Sequence, residues 1–272
     1  ALYNASFLRV GLGDHQGAAR GYERYATEYP GQPDGEAVFW QAGQQWAQVS
    51  DAAALDFYQR YLRRYPASDA NHVLEAWYRI SSLYDKRGDS RRAAQARTEL
   101  QNAFMANREV VGFEGRRYAA EAPVAELVAR VEAFKKVKFT GDQKKDLEIV
   151  NVQKVEEYRT LDAAADQIAT TYQDFEAGAA AYYIKGLLAF IMADLVYQMP
   201  PPKGFSEEDV ATYQQLLDEK VRLPFEDKGR NWLTRGIAAA REKKAWSQWS
   251  TRSMDLLHEK FPFDYPGERP ES

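Results

Sequence analysis

The string Tyr22-Glu23-Arg24-Tyr25 returns 36 residues later as Tyr58-Gln59-Arg60-Tyr61, and the pairs Tyr29-Pro30 and Tyr65-Pro66 keep the same distance. A fixed period of this size marks stacked repeats, and nothing else in the chain constrains its fold so strongly. The first copy reads Gly13-Asp14, Ala18-Ala19, Tyr22, Tyr25. The second reads Ser50-Asp51, Ala54-Leu55, Tyr58, Tyr61. A third follows Gly88-Asp89 with Ala93-Ala94, Ala96, Leu100 and Phe104. Apolar residues three and four apart predict a helix in each copy. Asp14, Asp51 and Asp89 are the expected N-caps. Proline forbids continuation of the first two helices. Partner helices are predicted over 35–49, with Phe39, Trp40, Ala42 and Trp46, and over 71–86, with Leu74, Trp77, Ile80 and Tyr84. The unit is helix–turn–helix, with a period of 36–38 residues.

This period and pattern resemble the tetratricopeptide repeat family. The best copy is Trp77-x2-Ile80-Ser81-x2-Tyr84, then Ala93, Arg97 and Leu100. It departs from the family pattern at Ser81, Arg97 and Leu100, and Arg97 puts a charge at a stacking position. The middle copy reads Phe39, Ala42, Gly43, Trp46, Ala54, Tyr58, Tyr61 and Pro66, one residue short around Ser50-Asp51. The first copy has only its second half clear, at Ala18, Tyr22, Tyr25 and Pro30. The resemblance covers residues 1–107. It implies an all-α fold, an α-solenoid of antiparallel helix pairs. The Tyr-Pro joints, followed by Gly31-Gln32-Pro33-Asp34 and Ala67-Ser68-Asp69-Ala70, look like those of bacterial cell-envelope repeat proteins. That likeness implies a periplasmic or outer-membrane-associated place, with the cytoplasm as the alternative.

Residues 108–272 read as a degenerate continuation of helix pairs with an aromatic-proline tail. Arg108–Gly115 is read as a joint, and Pro123 suits the first turn of a helix. A long polar helix is expected over 142–175 and an apolar one over 177–199. Ser206-Glu207-Glu208-Asp209 resembles a capping box. Pro224 suits another helix start, and a last helix is expected over 245–260, with Trp246 and Trp249 on one face, read as core with an exposed anchor as the alternative. This half is similar to the C-terminal halves of long repeat proteins in myxobacteria and related delta-proteobacteria. Lys185 and Asp194 interrupt 179–199 and leave too short an apolar run to span a bilayer, so it reads as a core helix. The chain starts at Ala1 without an initiator methionine or signal peptide, as a processed protein or an excerpt would.

Composition bounds the chemistry. Lys+Arg total 36 and Asp+Glu 40, a net charge of −4, so no chain-wide electrostatic case for nucleic acid exists. There is no cysteine for a thiolate site, and the three histidines, His15, His72 and His258, fall in different units without a nearby second ligand. No nucleophile sits beside a base in the local sequence. Acidic clusters read as helix first turns, and the lysines from Lys135 to Lys145 read as a solvated corner. The expectation is therefore no enzyme, no catalytic or metal residue and no cofactor.

Function is expected on the concave face, which the first helix of each repeat lines. Alignment to the family pattern places Trp40 and Gln44 there, and Tyr78, Ser82 and Asp85 in the next copy. These do not match the Lys and Asn clamp of chaperone-tail receptors. An aromatic-and-amide groove suits an extended or helical segment of a partner protein. The expected role is a non-catalytic protein–protein interaction scaffold in a bacterial envelope complex. A subunit packed constitutively in a large assembly, or the solenoid part of a longer envelope enzyme, are the alternatives.

Overall fold

The computed structural model describes residues 1–66 and 68–266. Ala67, in the second joint, and the polar stub 267–272 lie outside the described residues. The chain is all-α, with no strand among the described residues. It divides into two compact units, Ala1–Ala119 and Ala120–Ser272.

Unit 1 is an α-solenoid. Its helices are α1 (Leu2–Gly11), α2 (His15–Glu28), α3 (Gly35–Val49), α4 (Asp51–Arg64), α5 (Ala70–Lys86), α6 (Ser90–Asn107) and the first part of α7 (Phe113–Phe134). Neighbours in sequence pack on one another from α1 to α6. The reason is volume matching. A Cβ at Gly43 of α3 would lie 2.4 Å from the Phe57 ring of α4, so glycine lets the two backbones close on the aromatic. Phe57 in turn stacks on Phe39 at 5.1 Å, and Tyr61 meets Trp40 edge-on at 4.7 Å. Tyr22, Tyr58 and Tyr61 are buried, while Tyr25, Tyr65 and Tyr84 are half-buried against the same core. The repeat period also recurs in the polar contacts. Arg60 donates to both Glu23 oxygens at 2.9 and 3.0 Å, and Arg64 donates to the Ala26 carbonyl at 3.0 Å.

The local signals need three corrections here. Asp14 and Asp89 cap their helices, but α4 is capped by Ser50, whose hydroxyl accepts from the Ala53 N–H at 3.1 Å. Asp51 is instead the first helical residue, where its charge favours the helix dipole. Arg97 is no defect in the stack, because it pairs with Asp85. Pro123 does not start a helix; it lies inside α7. A mid-helix proline frees the carbonyl four residues back. That carbonyl belongs to Ala119, and the Gln101 side-chain amide donates to it at 2.7 Å. A side chain from α6 thus replaces the lost backbone bond.

Unit 2 is built around one helix. After the second part of α7 come α8 (Gln143–Glu148), a π-helical segment (Ile149–Lys154) and α9 (Val155–Tyr172). Then follow α10 (Phe175–Tyr197), α11 (Glu207–Leu217), a second π-helical segment (Asp218–Arg222), α12 (Leu223–Glu242) and α13 (Gln248–Lys260). The long polar helix is therefore interrupted by a π turn and closed by Gln173 in the left-handed region. The Ser206–Asp209 capping box forms, and Pro224 sits in the first turn of α12. By length and composition α10 could cross a membrane, but 83% of its most apolar window is buried inside the protein. It packs on α9, α12 and α13. Its charges find partners: Lys185 reaches Asp166 at 2.6 Å, and Asp194 accepts from Lys260 at 3.0 Å. The two tryptophans part company. Ser247 caps α13, so Trp246 stays outside it, exposed, with its indole donating to Thr251, while Trp249 is buried.

Candidate functional site: an acidic groove in the solenoid

A groove of about 720 Å³ opens on unit 1, lined by α3, α5 and the residues that open α7. These are the first helices of successive pairs, so the repeat geometry itself builds the groove. Its floor is Trp40, only 7% exposed, with the His72 ring stacked on it at 4.4 Å and 17°. Its rim carries the carboxylates Asp69, Glu75 and Glu114 and the amides Gln41, Gln44 and Asn71. No Lys or Arg is among its described lining residues. Phe113, 57% exposed, and Tyr118 complete the α7 side.

The rim is held from below. Asn71 Oδ1 accepts from the Gly112 N–H at 2.9 Å, tying α5 to the loop before α7. Arg116 donates to the Val111 and Arg108 carbonyls at 3.0 and 2.7 Å, which folds that loop. Under the groove, Glu36 accepts from the Tyr61 hydroxyl and lies 2.9 Å from His72 Nδ1. Glu36 and His72 are one repeat period apart, so the pair joins like positions of adjacent copies. Burial alone pushes the Glu36 carboxyl up, but the hydrogen bonds from His72 and Tyr61 outweigh it and leave its pKa lowered. Burial likewise pushes the His72 ring down, yet the hydrogen bond and charge of Glu36, with Asp69 and Glu75 behind it, leave its pKa raised. An imidazolium over an indole face gains further from the ring quadrupole. Burial and the hydrogen bond to Glu36 push the Tyr61 hydroxyl far up, so it stays a donor.

Of the residues expected on the concave face, Trp40 and Gln44 line this groove, the first as floor and the second as exposed rim. Tyr78, Ser82 and Asp85 do not line it. Tyr78 stacks on Tyr118 at 4.6 Å, and Ser82 donates back to the Tyr78 carbonyl at 3.1 Å. Asp85 is spent on Arg97. Sequence reasoning missed Asp69, His72, Glu75, Phe113, Glu114 and Tyr118. The signal for His72 was the period itself, since it repeats the position of Glu36. The α7 residues were hidden by reading 108–115 as a joint. Among the described residues no group of three or more His, Cys, Asp or Glu is placed to hold a metal ion. His15 donates to Gln45 at 3.0 Å, and His258 to the Tyr265 carbonyl at 2.8 Å.

Residues 1–31 match the family model of the tetratricopeptide repeat. No curated protein and no solved structure matches the chain.

Proposed function

We propose that this chain, a tetratricopeptide repeat protein, is a scaffold whose groove holds a basic segment of a partner protein within a bacterial envelope complex. Repeats of this family bind other proteins or peptides. The observation that carries the finer reading is the sign of the rim: three carboxylates, with no Lys or Arg among the described lining residues, while the His72 ring on the floor is matched by Glu36 beneath it. A Lys or Arg of the partner would meet Asp69 or Glu114, with Glu75, one of whose oxygens already holds Arg79, beside them, and its alkyl stem would lie on Phe113 and Tyr118. The amides of Gln41 and Gln44 suit the backbone of an extended segment. The Tyr-Pro joints at Tyr29-Pro30 and Tyr65-Pro66 support the envelope setting.

Fluorescence anisotropy with two labelled peptides, one alternating Lys and Leu and one alternating Glu and Leu, tests the groove. The Lys peptide is expected to bind, and more weakly as salt rises. Glu75→Lys with Glu114→Lys is expected to cost at least about tenfold, since like charges in an interface repel. In cells the same double variant should release its co-purifying envelope proteins. Equal binding of both peptides, or of the Lys peptide to the double variant, would refute the reading.

A further inference from the structure

Unit 2 holds two adjoining cavities that the peptide groove does not involve. The first is a cleft of about 310 Å³, lined almost wholly by apolar side chains, among them Leu147, Val150, Met192, Val196, Leu217 and Val221. The second, about 400 Å³, is polar, with Tyr158, Arg159, Asp162, Asp166 and Lys228 in its wall. Val155, Met192 and Phe225 line both, so the two adjoin and together offer a site with a dry end and a polar end. Its size is that of a small-molecule site.

Two features at this space lack a structural explanation. Both π-helical segments of the described chain border the cleft, the first through Val150 and Asn151, the second through Val221. Such segments cost helix regularity and gather at functional sites. At the polar end, the Tyr158 hydroxyl and Asp162 Oδ1 are buried with no hydrogen-bond partner. Tyr158 as a whole is 7% exposed. The two residues are four apart in α9, so they share one face. Leaving such atoms unpaired forfeits the bonds they make in water, a loss a ligand would remove.

The unpaired atoms and the surrounding charge define the ligand. Asp162 Oδ1 can only accept, so the group beside it must donate, and the Tyr158 hydroxyl can donate to or accept from the same group. The charged wall holds two cations, Arg159 and Lys228, and two carboxylates, Asp162 and Asp166. Lys185, buried behind, is already matched to both carboxylates at 3.3 and 2.6 Å. Lys228 lies over the Tyr158 ring at 4.8 Å. A net anion would meet Asp162, and a net cation would meet Lys228. We propose that unit 2 binds a single-chain amphiphile with an uncharged, hydrogen-bonding head, its hydrocarbon chain in the cleft between the π-helical segments and a head hydroxyl or amide between Tyr158 and Asp162.

Titration calorimetry on the full chain tests this with three probes below their micellar concentrations: 1-decanoylglycerol, decanoate and decyltrimethylammonium. The glycerol ester is expected to bind saturably at one site, and both ions more weakly. Tyr158→Phe should weaken the ester about three- to tenfold, the worth of one neutral hydrogen bond. The same change should leave the ligand-free melting temperature equal or higher, because it deletes a polar atom that had no partner. Val221→Trp should fill the cleft and abolish binding with helical circular dichroism retained; if that variant unfolds, Tyr158→Phe decides alone. Failure of the ester to bind, or equal binding of all three probes with no response to Tyr158→Phe, would overturn the proposal. So would binding of N-acetyl-leucyl-phenylalanine amide in its place, which would assign the site to a peptide. None of these outcomes bears on the groove of unit 1.

Discussion

Unit 1 and unit 2 bury apolar helix faces by opposite means. In unit 1 the core is shared out. Tyr22 comes from α2, Phe39 and Trp40 from α3, Phe57, Tyr58 and Tyr61 from α4, and Ile80 from α5. Each helix buries a stripe against its neighbours and leaves another face to solvent. In unit 2, α10 alone contributes sixteen buried residues of its 23, so little of it meets solvent beyond Asp194 and Tyr197, and the other helices wrap it. Stability in the first case is a chain of neighbour terms. In the second it is close to all-or-none, because α9 and α12 lose their most extensive packing if α10 leaves, and α13 rests on α10 and α12 alike.

The sharpest break of this contrast is a truncation at the centre of unit 2. Phe190 is 1% exposed, closes on Gly229 of α12 and packs beside Phe261. Phe190→Ala should cost about 3–5 kcal/mol. Hydrogen exchange should then rise together across α9, α10, α12 and α13. Protection that persists in α9 while α12 exchanges would show that unit 2 is modular after all.

The matching test in unit 1 is an overpacked joint. A side chain at Gly43 has no room beside Phe57, so Gly43→Leu should destabilise by about 1–3 kcal/mol. Here the loss should be graded, with exchange fastest in α3 and α4 and weaker effects in α2 and α5. A single cooperative loss across α1–α6 would contradict a sum of neighbour terms.

The same contrast explains what the sequence disclosed. Unit 1 was legible because each contact recurs at one period, so Tyr22 and Tyr58 announce the same packing twice. What failed there was local ambiguity or distant compensation. Ser50 and Asp51 are both good caps, and nothing in their order says which will turn outward. Pro123 reads as a helix start because its rule is local, whereas the amide that rescues Ala119 comes from Gln101. For the groove, alignment to the repeat pattern named Trp40 and Gln44, which line it. It also nominated Tyr78, Ser82 and Asp85, whose side chains are occupied by Tyr118, a backbone carbonyl and Arg97. In unit 2 the run 179–199 pointed to a core helix, but a helix apolar on most faces names no partners. The cleft beside it depends on π turns that no residue pattern marks.

The smallest expected effect tests whether the period also carries electrostatics. His72 is raised above its ordinary 6.5 and Glu36 is lowered below its ordinary 4.5. A raised histidine adds stability that is complete below about 6.5 and is lost as pH climbs through its folded value. A lowered carboxyl adds stability that is complete above about 4.5 and is lost as pH falls through its folded value. The pair therefore stabilises unit 1 most between about pH 4.5 and 6.5. Both side chains are partly exposed, so solvent screening holds the gain to about 1 kcal/mol or less. Amide exchange of α3 and α5 measured from pH 4 to 8 should be slowest, after correction for intrinsic rates, inside that window. His72→Gln should flatten the profile on its alkaline side, since the titrating ring is gone. It should also loosen the acid side, since Glu36 loses its strongest partner while keeping Tyr61. A profile unchanged by His72→Gln would mean that the period joins these helices through packing alone.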